Sequence, residues 1–207
     1  MFNVESSQEL QVINEVAARI GKKAAIAIRV NPDIDPRTHP YISTGLKQNK
    51  FGIDILRAPV AYRLASQLPH LKIVGIDCHI GSQLVEVEPI IEALRRLKRL
   101  VEDLRKEGLE IQYLDLGGGL GITYEDEEPP HPMEYASNIL EELRGFGCQL
   151  ILEPGRVIVG NAGILVSKVL YLKENEEKRF LIVDAGMNDL VRPSYYGSYH
   201  HILPVKE

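Results

Sequence analysis

Four short segments of this 207-residue chain carry groups suited to holding a flat, charged ligand: Arg29-Val30-Asn31-Pro32-Asp33, His79-Ile80-Gly81-Ser82-Gln83, Asp115-Leu116-Gly117-Gly118-Gly119 and Glu153-Pro154-Gly155-Arg156. Each follows an apolar run that reads as a β-strand, and in parallel α/β folds reactive groups collect at the carboxyl ends of strands. The glycine triplet lets backbone N–H groups approach a phosphate closely; equally, it could be a tight turn that needs positive φ. His79 could stack its imidazole on a flat ring or be a satisfied polar residue at a strand end. Gly81 and Ser82 beside it would suit a phosphorylated ring. Glu153 and Arg156 offer either an ion pair across a Pro-Gly turn or an acceptor and an anion clamp. Further on, Arg192-Pro193-Ser194-Tyr195-Tyr196 sets a guanidinium and phenols near Asn188, Asp189 and His200. That segment is a solvated loop with aromatic packing or a seat for a carboxylate.

The elements that must position these groups alternate. Ser6 with Glu9 three residues on resembles a capping box, and the apolar spacing of Leu10, Ile13, Val16, Ala17 and Ile20 predicts a helix stopped by Gly21. Strands are expected over Ala24 to Val30, Ile73 to Ile80, Tyr113 to Leu116 and Gln149 to Leu152. Helices are expected over Pro59 to Leu68, from Pro89 to Gly108, and over Pro132 to Leu143. Strands alternating with helices imply parallel pairing through crossover helices. After Arg156 the pattern changes. Ile164 to Leu172 and Phe180 to Val183 are separated only by the charged turn Lys173 to Arg179, which is hairpin spacing. A boundary is therefore placed near Gly160, with an α/β domain over residues 1–160 and the start of a β domain over 161–207.

Composition narrows the function classes. At 44% hydrophobic the chain can bury a core, and its net charge of −5 comes without a basic stripe, which excludes nucleic acid as the expected partner. No apolar run of about 18 residues is present to span a membrane. Cys78 and Cys148 have neither metal-ligand nor disulfide-scaffold spacing, so no metal is expected and a reducing, cytoplasmic setting is. A dinucleotide fingerprint fits poorly, because Gly117-Gly118-Gly119-Leu120-Gly121 departs from its spacing and an acidic segment, Tyr124 to Glu128, stands where a helix should begin. A small polar molecule is the expected ligand.

Taken in order, the motifs resemble the fold-type III pyridoxal-phosphate-dependent decarboxylases, the group that acts on ornithine, arginine or diaminopimelate. The resemblance rests on Phe2-Asn3-Val4-Glu5-Ser6, Arg29 to Asp35, His39-Pro40-Tyr41-Ile42-Ser43-Thr44-Gly45, Asn49-Lys50-Phe51-Gly52-Ile53, and Cys78 to Gln83. The glycine triplet, Glu153 to Arg156, and Asp184-Ala185-Gly186-Met187-Asn188-Asp189 complete it. It covers essentially the whole chain, and the Ser-Thr-Gly and Met-Asn-Asp segments favour the diaminopimelate branch over the ornithine one. It implies a partial (β/α)8 (TIM) barrel of the alanine racemase-like type followed by the start of a β-rich C-terminal domain.

The implied activity is that of a lyase using pyridoxal 5'-phosphate to release carbon dioxide from meso-2,6-diaminopimelate, giving L-lysine in the last step of lysine biosynthesis. On the same resemblance His79 stacks on the cofactor ring, Ser82 and Gly117 to Gly119 hold its phosphate, and Glu153 bonds the ring nitrogen. Pro154, Gly155 and Arg156 complete the cofactor's surroundings. Arg156, Arg192 and Tyr196 receive the substrate's distal carboxylate, which suits a diacid amino acid. A homodimer is implied for the full-length family.

The family's Schiff-base lysine lies on an early barrel strand, and no lysine here follows a strand in that way; Lys50, in a loop, is the nearest substitute. About five of the barrel's eight strands are present by the family pattern. The chain is therefore expected to be truncated at both ends and inactive alone, with exposed strand edges that favour poor solubility or complementation by the missing segments. Two other classes stand beside this reading: a non-catalytic cofactor- or phosphate-binding module, and a nucleotide-binding α/β domain. An ornithine or arginine decarboxylase is the alternative within the family.

Overall fold

The structure, a computed structural model, describes residues 1–35 and 50–206. The His39 to Gly45 motif and Asn49 lie outside the described residues.

Five strands form a parallel sheet in the order β1 (Phe2–Val4), β2 (Ala24–Asn31), β4 (Leu71–Asp77), β5 (Tyr113–Asp115) and β6 (Gln149–Ile151). A two-residue strand, β3 (Ile53–Asp54), pairs with Val30 and Asn31 beyond the reach of β1. The crossovers are helices α1 (Ser7–Arg19), α2 (Ala58–Gln67), α3 (Glu88–Lys106) and α4 (Pro132–Glu142). Their boundaries follow local chemistry. The Ser6 hydroxyl accepts from the Glu9 amide at 3.2 Å, and the Glu9 carboxylate reaches back to the Glu5 amide at 2.7 Å, so the capping box closes one residue earlier than its usual form. At the other end Gly21 takes a φ of 64°, and the Lys22 and Gly21 amides donate to the carbonyls of Ala17 and Ala18. Those two bonds make a Schellman stop.

One face of each crossover helix and the outward face of the sheet share a core. Ile26, Ile28 and Val30 of β2, Ile76 of β4 and Leu114 of β5 alternate toward the helices, where Ile90, Leu94, Leu97, Val101 and Leu104 of α3 meet them. Burying a leucine of this kind contributes roughly 2 kcal/mol. Tyr62 of α2 is enclosed in this core with its hydroxyl donating to the Gly75 carbonyl at 2.9 Å, which satisfies its one polar atom. The opposite set of strand residues, Asn3, Arg29, Asp77 and Asp115, faces the inside of the curved sheet.

One irregularity sets that inside row. Ile26 pairs with Ile73 but Ala27 pairs with Gly75, so Val74 is an extra residue on β4. Beyond this bulge Arg29 lies beside Asp77, and Asp77 beside Asp115.

The last part of the chain is built differently. After the four-residue helix α5 (Arg156–Val159) come an antiparallel pair, β7 (Val169–Glu174) and β8 (Arg179–Val183), and a short helix, α6 (Arg192–Tyr196). Three expectations need correction here. The first strand was expected over Ile164 to Leu172; it starts at Val169 and runs on to Glu174, because Asn175 makes the turn, its side-chain oxygen accepting from the Glu177 and Lys178 amides. The 192–196 segment is a helical turn rather than a loop, with Pro193 in its first turn and Gly197 at a φ of 61° closing it. The strand expected to run to Ile80 ends at Asp77, where the chain leaves the sheet to form the site. No described residue after Ile139 is buried.

Candidate functional site

The inner ends of β1, β2, β4, β5 and β6 converge on a cavity of about 270 Å³ lined by Asn3, Glu5, Arg29, Asp77, His79 and Glu153. A first level of side chains runs across the strands. Arg29 Nη1 bonds the Glu5 carboxylate at 2.5 Å and lies over the Phe51 ring, 5.1 Å from its centroid. Asp77 and Asp115 are next in line, 3% and 2% exposed. Asp115 is tied down at both oxygens, accepting from Asn3 Nδ2 at 3.2 Å and from the Gly117 amide at 2.9 Å. Burial, with Asp115 beside it, pushes the Asp77 carboxyl up to about 8 even though Arg29 opposes the shift.

Two residues further along each strand lies a second level: His79, Gly117 and Glu153. The Gly118 amide donates to His79 Nδ1 at 3.2 Å, which leaves the ring proton on Nε2. Burial and the Arg29 charge lower the His79 pKa, so the ring is neutral. Desolvation and the nearby Asp115 carboxylate raise the Glu153 pKa.

A Cβ on Gly117 would sit 2.6 Å from His79 Nδ1, one on Gly118 would collide with the Glu153 carbonyl, and one on Gly119 with the Gly81 carbonyl. Gly117 and Gly119 also have positive φ, 66° and 112°. Close backbone approach therefore demands all three residues. The Gly117 and Gly118 amides donate within the chain, to Asp115 and His79. The triplet is thus the joint at which three strand ends lock together: the Glu153 amide donates to the Gly117 carbonyl, and the Leu84 amide to the Gly119 carbonyl, both at 2.8 Å.

Glu153 and Arg156 do not pair with each other. Arg156 donates to Gln83 Oε1 at 3.1 Å and lies 5.7 Å from the Tyr124 ring centroid, while Arg192 lies 5.9 Å from the same ring and 5.0 Å from that of Tyr196. His200 meets Tyr124 edge-on. Two guanidiniums are thus gathered around one phenol, and the Arg192 Nε is buried without a hydrogen-bond partner. Such an arrangement favours an anion between the two cations. Ser82 is half-buried between Gly81 and Gln83. Pro154 and Gly155 are exposed and lead into α5, for which Gly155 is the N-cap.

Several contributors received no role of their own in the sequence reading. Tyr124 lies in an acidic stretch that reads as a loop; only its neighbours in space reveal it. Gln83, at a φ of 60°, clamps Ile122 through both ends of its amide and also accepts from Arg156. Arg29 and Asp115 open segments that the strand-end argument marked without giving them a task, and Asn3, Glu5 and Asp77 could have been found by the same argument taken one alternation earlier.

Residues 1–160 match the family model described as the pyridoxal-dependent decarboxylase, pyridoxal binding domain. The chain is 56% identical over 205 residues to a diaminopimelate decarboxylase of Haemophilus influenzae, covering 99% of this chain and 49% of that one. It is 56% identical over 207 residues to the enzyme of that name from Aquifex aeolicus, covering 100% of this chain and 49% of that one. The crystal structure of diaminopimelate decarboxylase from Helicobacter pylori complexed with L-lysine superposes with a TM-score of 0.93 at 46% identity, covering 99% of this chain and 52% of that one. The chain thus spans about half the length of the curated relatives it matches.

Proposed function

Because the chain belongs to the pyridoxal-dependent decarboxylases, we propose that its inner cavity is the cofactor seat of an enzyme that decarboxylates meso-2,6-diaminopimelate to L-lysine. The observation that carries this reading is the convergence of His79 and Glu153 at one cavity, with Gly117 and Gly118 packed against them. The seat fits a flat, phosphorylated ring: His79 offers a neutral imidazole, Glu153 a carboxyl at the opposite strand end, and the triplet leaves no side chains to obstruct the approach. When bound, pyridoxal phosphate would supply an electron sink for the pair left at Cα as carbon dioxide departs.

The chain's own residues then have separate tasks. His79, held by the Gly118 amide, supports a ring without exchanging protons with it. Glu153 stands where a ring nitrogen can be hydrogen-bonded, and Ser82 with Gly117, Gly118 and Gly119 forms the phosphate end. Pro154 and Gly155 turn the chain so that Arg156 reaches Gln83 and Tyr124. Arg156 and Arg192, with Tyr196, form a seat for a substrate carboxylate distant from the reacting carbon, which suits a diacid. None of the described lysines lines the cavity. The domain boundary belongs near Gly160, where the family model ends and parallel pairing gives way to an antiparallel hairpin. Assembly as a homodimer and a cytoplasmic setting accompany this reading, and the apolar side chains left uncovered after Ile139 favour association.

Titrating the chain with pyridoxal phosphate while following its absorbance tests the proposal. Saturable, reversible binding is expected, at least 10-fold weaker in Gly118→Asp, whose side chain would meet the Glu153 backbone. Carbon dioxide release from diaminopimelate is expected only when the remainder of a relative's length is supplied in trans. Absence of cofactor binding would overturn the reading.

A further inference from the structure

We propose that Tyr124 is a positioning residue of the carboxylate seat: its ring holds Arg156 and Arg192 together for the anionic end of a ligand, while Gln83 and Glu127 hold the chain on either side of the ring. This deepens the seat reading given above and rests on it.

Two guanidiniums repel each other, so a seat that uses both needs a group that attracts each of them. Tyr124 is placed to do this. Its ring centroid lies 5.7 Å from the Arg156 guanidinium carbon and 5.9 Å from that of Arg192, within the reach at which an aromatic face attracts a cation. Arg156 opens α5 and Arg192 opens α6, so the phenol joins two cations that arrive on separate elements. Arg192 also faces the Tyr196 ring at 5.0 Å and donates to Ser198 Oγ at 3.4 Å. Its Nε is buried and finds no partner among the described residues, which leaves that N–H for a carboxylate.

The phenol is fastened on both sides. Gln83 Oε1 accepts from the Ile122 amide at 3.2 Å and from Arg156 Nη1 at 3.1 Å, so one side chain ties the approach to Tyr124 to the first cation. Beyond the ring the chain folds back. The Glu127 carboxylate accepts from the Tyr124 and Glu125 amides, both at 2.8 Å, and the Thr123 hydroxyl donates to the Glu127 carbonyl at 2.8 Å. An acidic stretch thus presents an aromatic face to the arginines, with Glu127 turned to its own backbone. His200 meets the same ring edge-on, with 5.8 Å between centroids.

The test adds pimelate, a seven-carbon dicarboxylate, to the ¹⁵N-labelled chain and follows the arginine Nε–H signals by NMR. In the unsubstituted chain the Arg156 and Arg192 signals are expected to move together and to saturate. Tyr124→Leu keeps an apolar side chain but removes the aromatic face, and should weaken pimelate binding by about 5-fold or more. Tyr124→Phe restores the face and should recover most of that loss, a rescue that a side chain needed only to fill space would not show. Glu127→Ala frees the Tyr124 amide and should weaken binding by less; if Tyr124→Leu does not fold, unchanged binding in Glu127→Ala would overturn the proposal. Equal affinities in Tyr124→Leu and Tyr124→Phe would likewise remove the role of the ring and leave the seat standing. Pimelate that moves neither arginine signal in the unsubstituted chain would remove the seat and the role together.

Discussion

The sheet of residues 1–160 and the hairpin region that follows it have similar apolar content in places but opposite relations to water. In α3 the leucines fall on one face and are enclosed: Leu97 is 0% exposed. In β7 Leu172 is 70% exposed, and every residue of that strand is open to solvent. An apolar pattern therefore specifies an element without guaranteeing it a core. The first region obtains its core from crossovers that return each helix to the sheet. The hairpin has a partner strand, and among the described residues its first strand is covered by nothing that takes it out of water.

The sharpest test of this contrast is a pair of truncations. Leu97→Ala should cost about 3 kcal/mol of unfolding free energy, because it empties a closed space in the core. Urea denaturation reads this directly, and a loss under about 1 kcal/mol would mean that the core is looser than described.

Titration should separate the regions as well. Asp77 is held up to about 8 in the folded chain against an ordinary value of 3.8, so between those values the folded state keeps a proton that the unfolded state has released. Stability contributed by this group is accordingly greatest at the acid end and falls as pH rises through the window, by at most about 1.4 kcal/mol per pH unit. Denaturation curves across that window should show the slope, and Asp77→Asn should flatten it. A slope that survives the substitution would place the responsible group elsewhere.

The smallest effect is expected from Leu172→Ala, a change within about 0.5 kcal/mol, because the side chain leaves water on neither side of the comparison. A larger loss in a concentration-dependent melt would show that the hairpin face is covered in solution by another copy.

Local chemistry made much of this legible in the sequence. Ser6 and Gly21 announce both ends of α1, and the apolar face of α3 is written in its spacing. The order of strand and helix then fixes parallel pairing, and the rule that chemistry follows strands leads to His79 and Glu153. Features that depend on neighbours distant in the chain were hidden. Tyr124 acquires its place only when Arg156 and Arg192 arrive from elsewhere. The start of β7 is set by where β8 can reach, which no run of apolar residues records. The triplet was legible as a need for glycine, and its surroundings show close backbone approach at all three positions.

The bulge at Val74 has a consequence for how this sequence can change. It shifts the phase of β4 by one residue, and everything from Gly75 to His79 inherits that phase. Deleting Val74 would leave the pairs beyond it in place, Gly75 with Ala27 and Asp77 with Arg29, whereas deleting Ile76 would send Asp77 into the helix layer, although every residue of the His79 to Gln83 motif would still be present. Beyond the bulge, conservative side-chain replacements should therefore be tolerated far better than a change of length, and a library that varies segment lengths should find Gly75 to Asp77 closed to insertion.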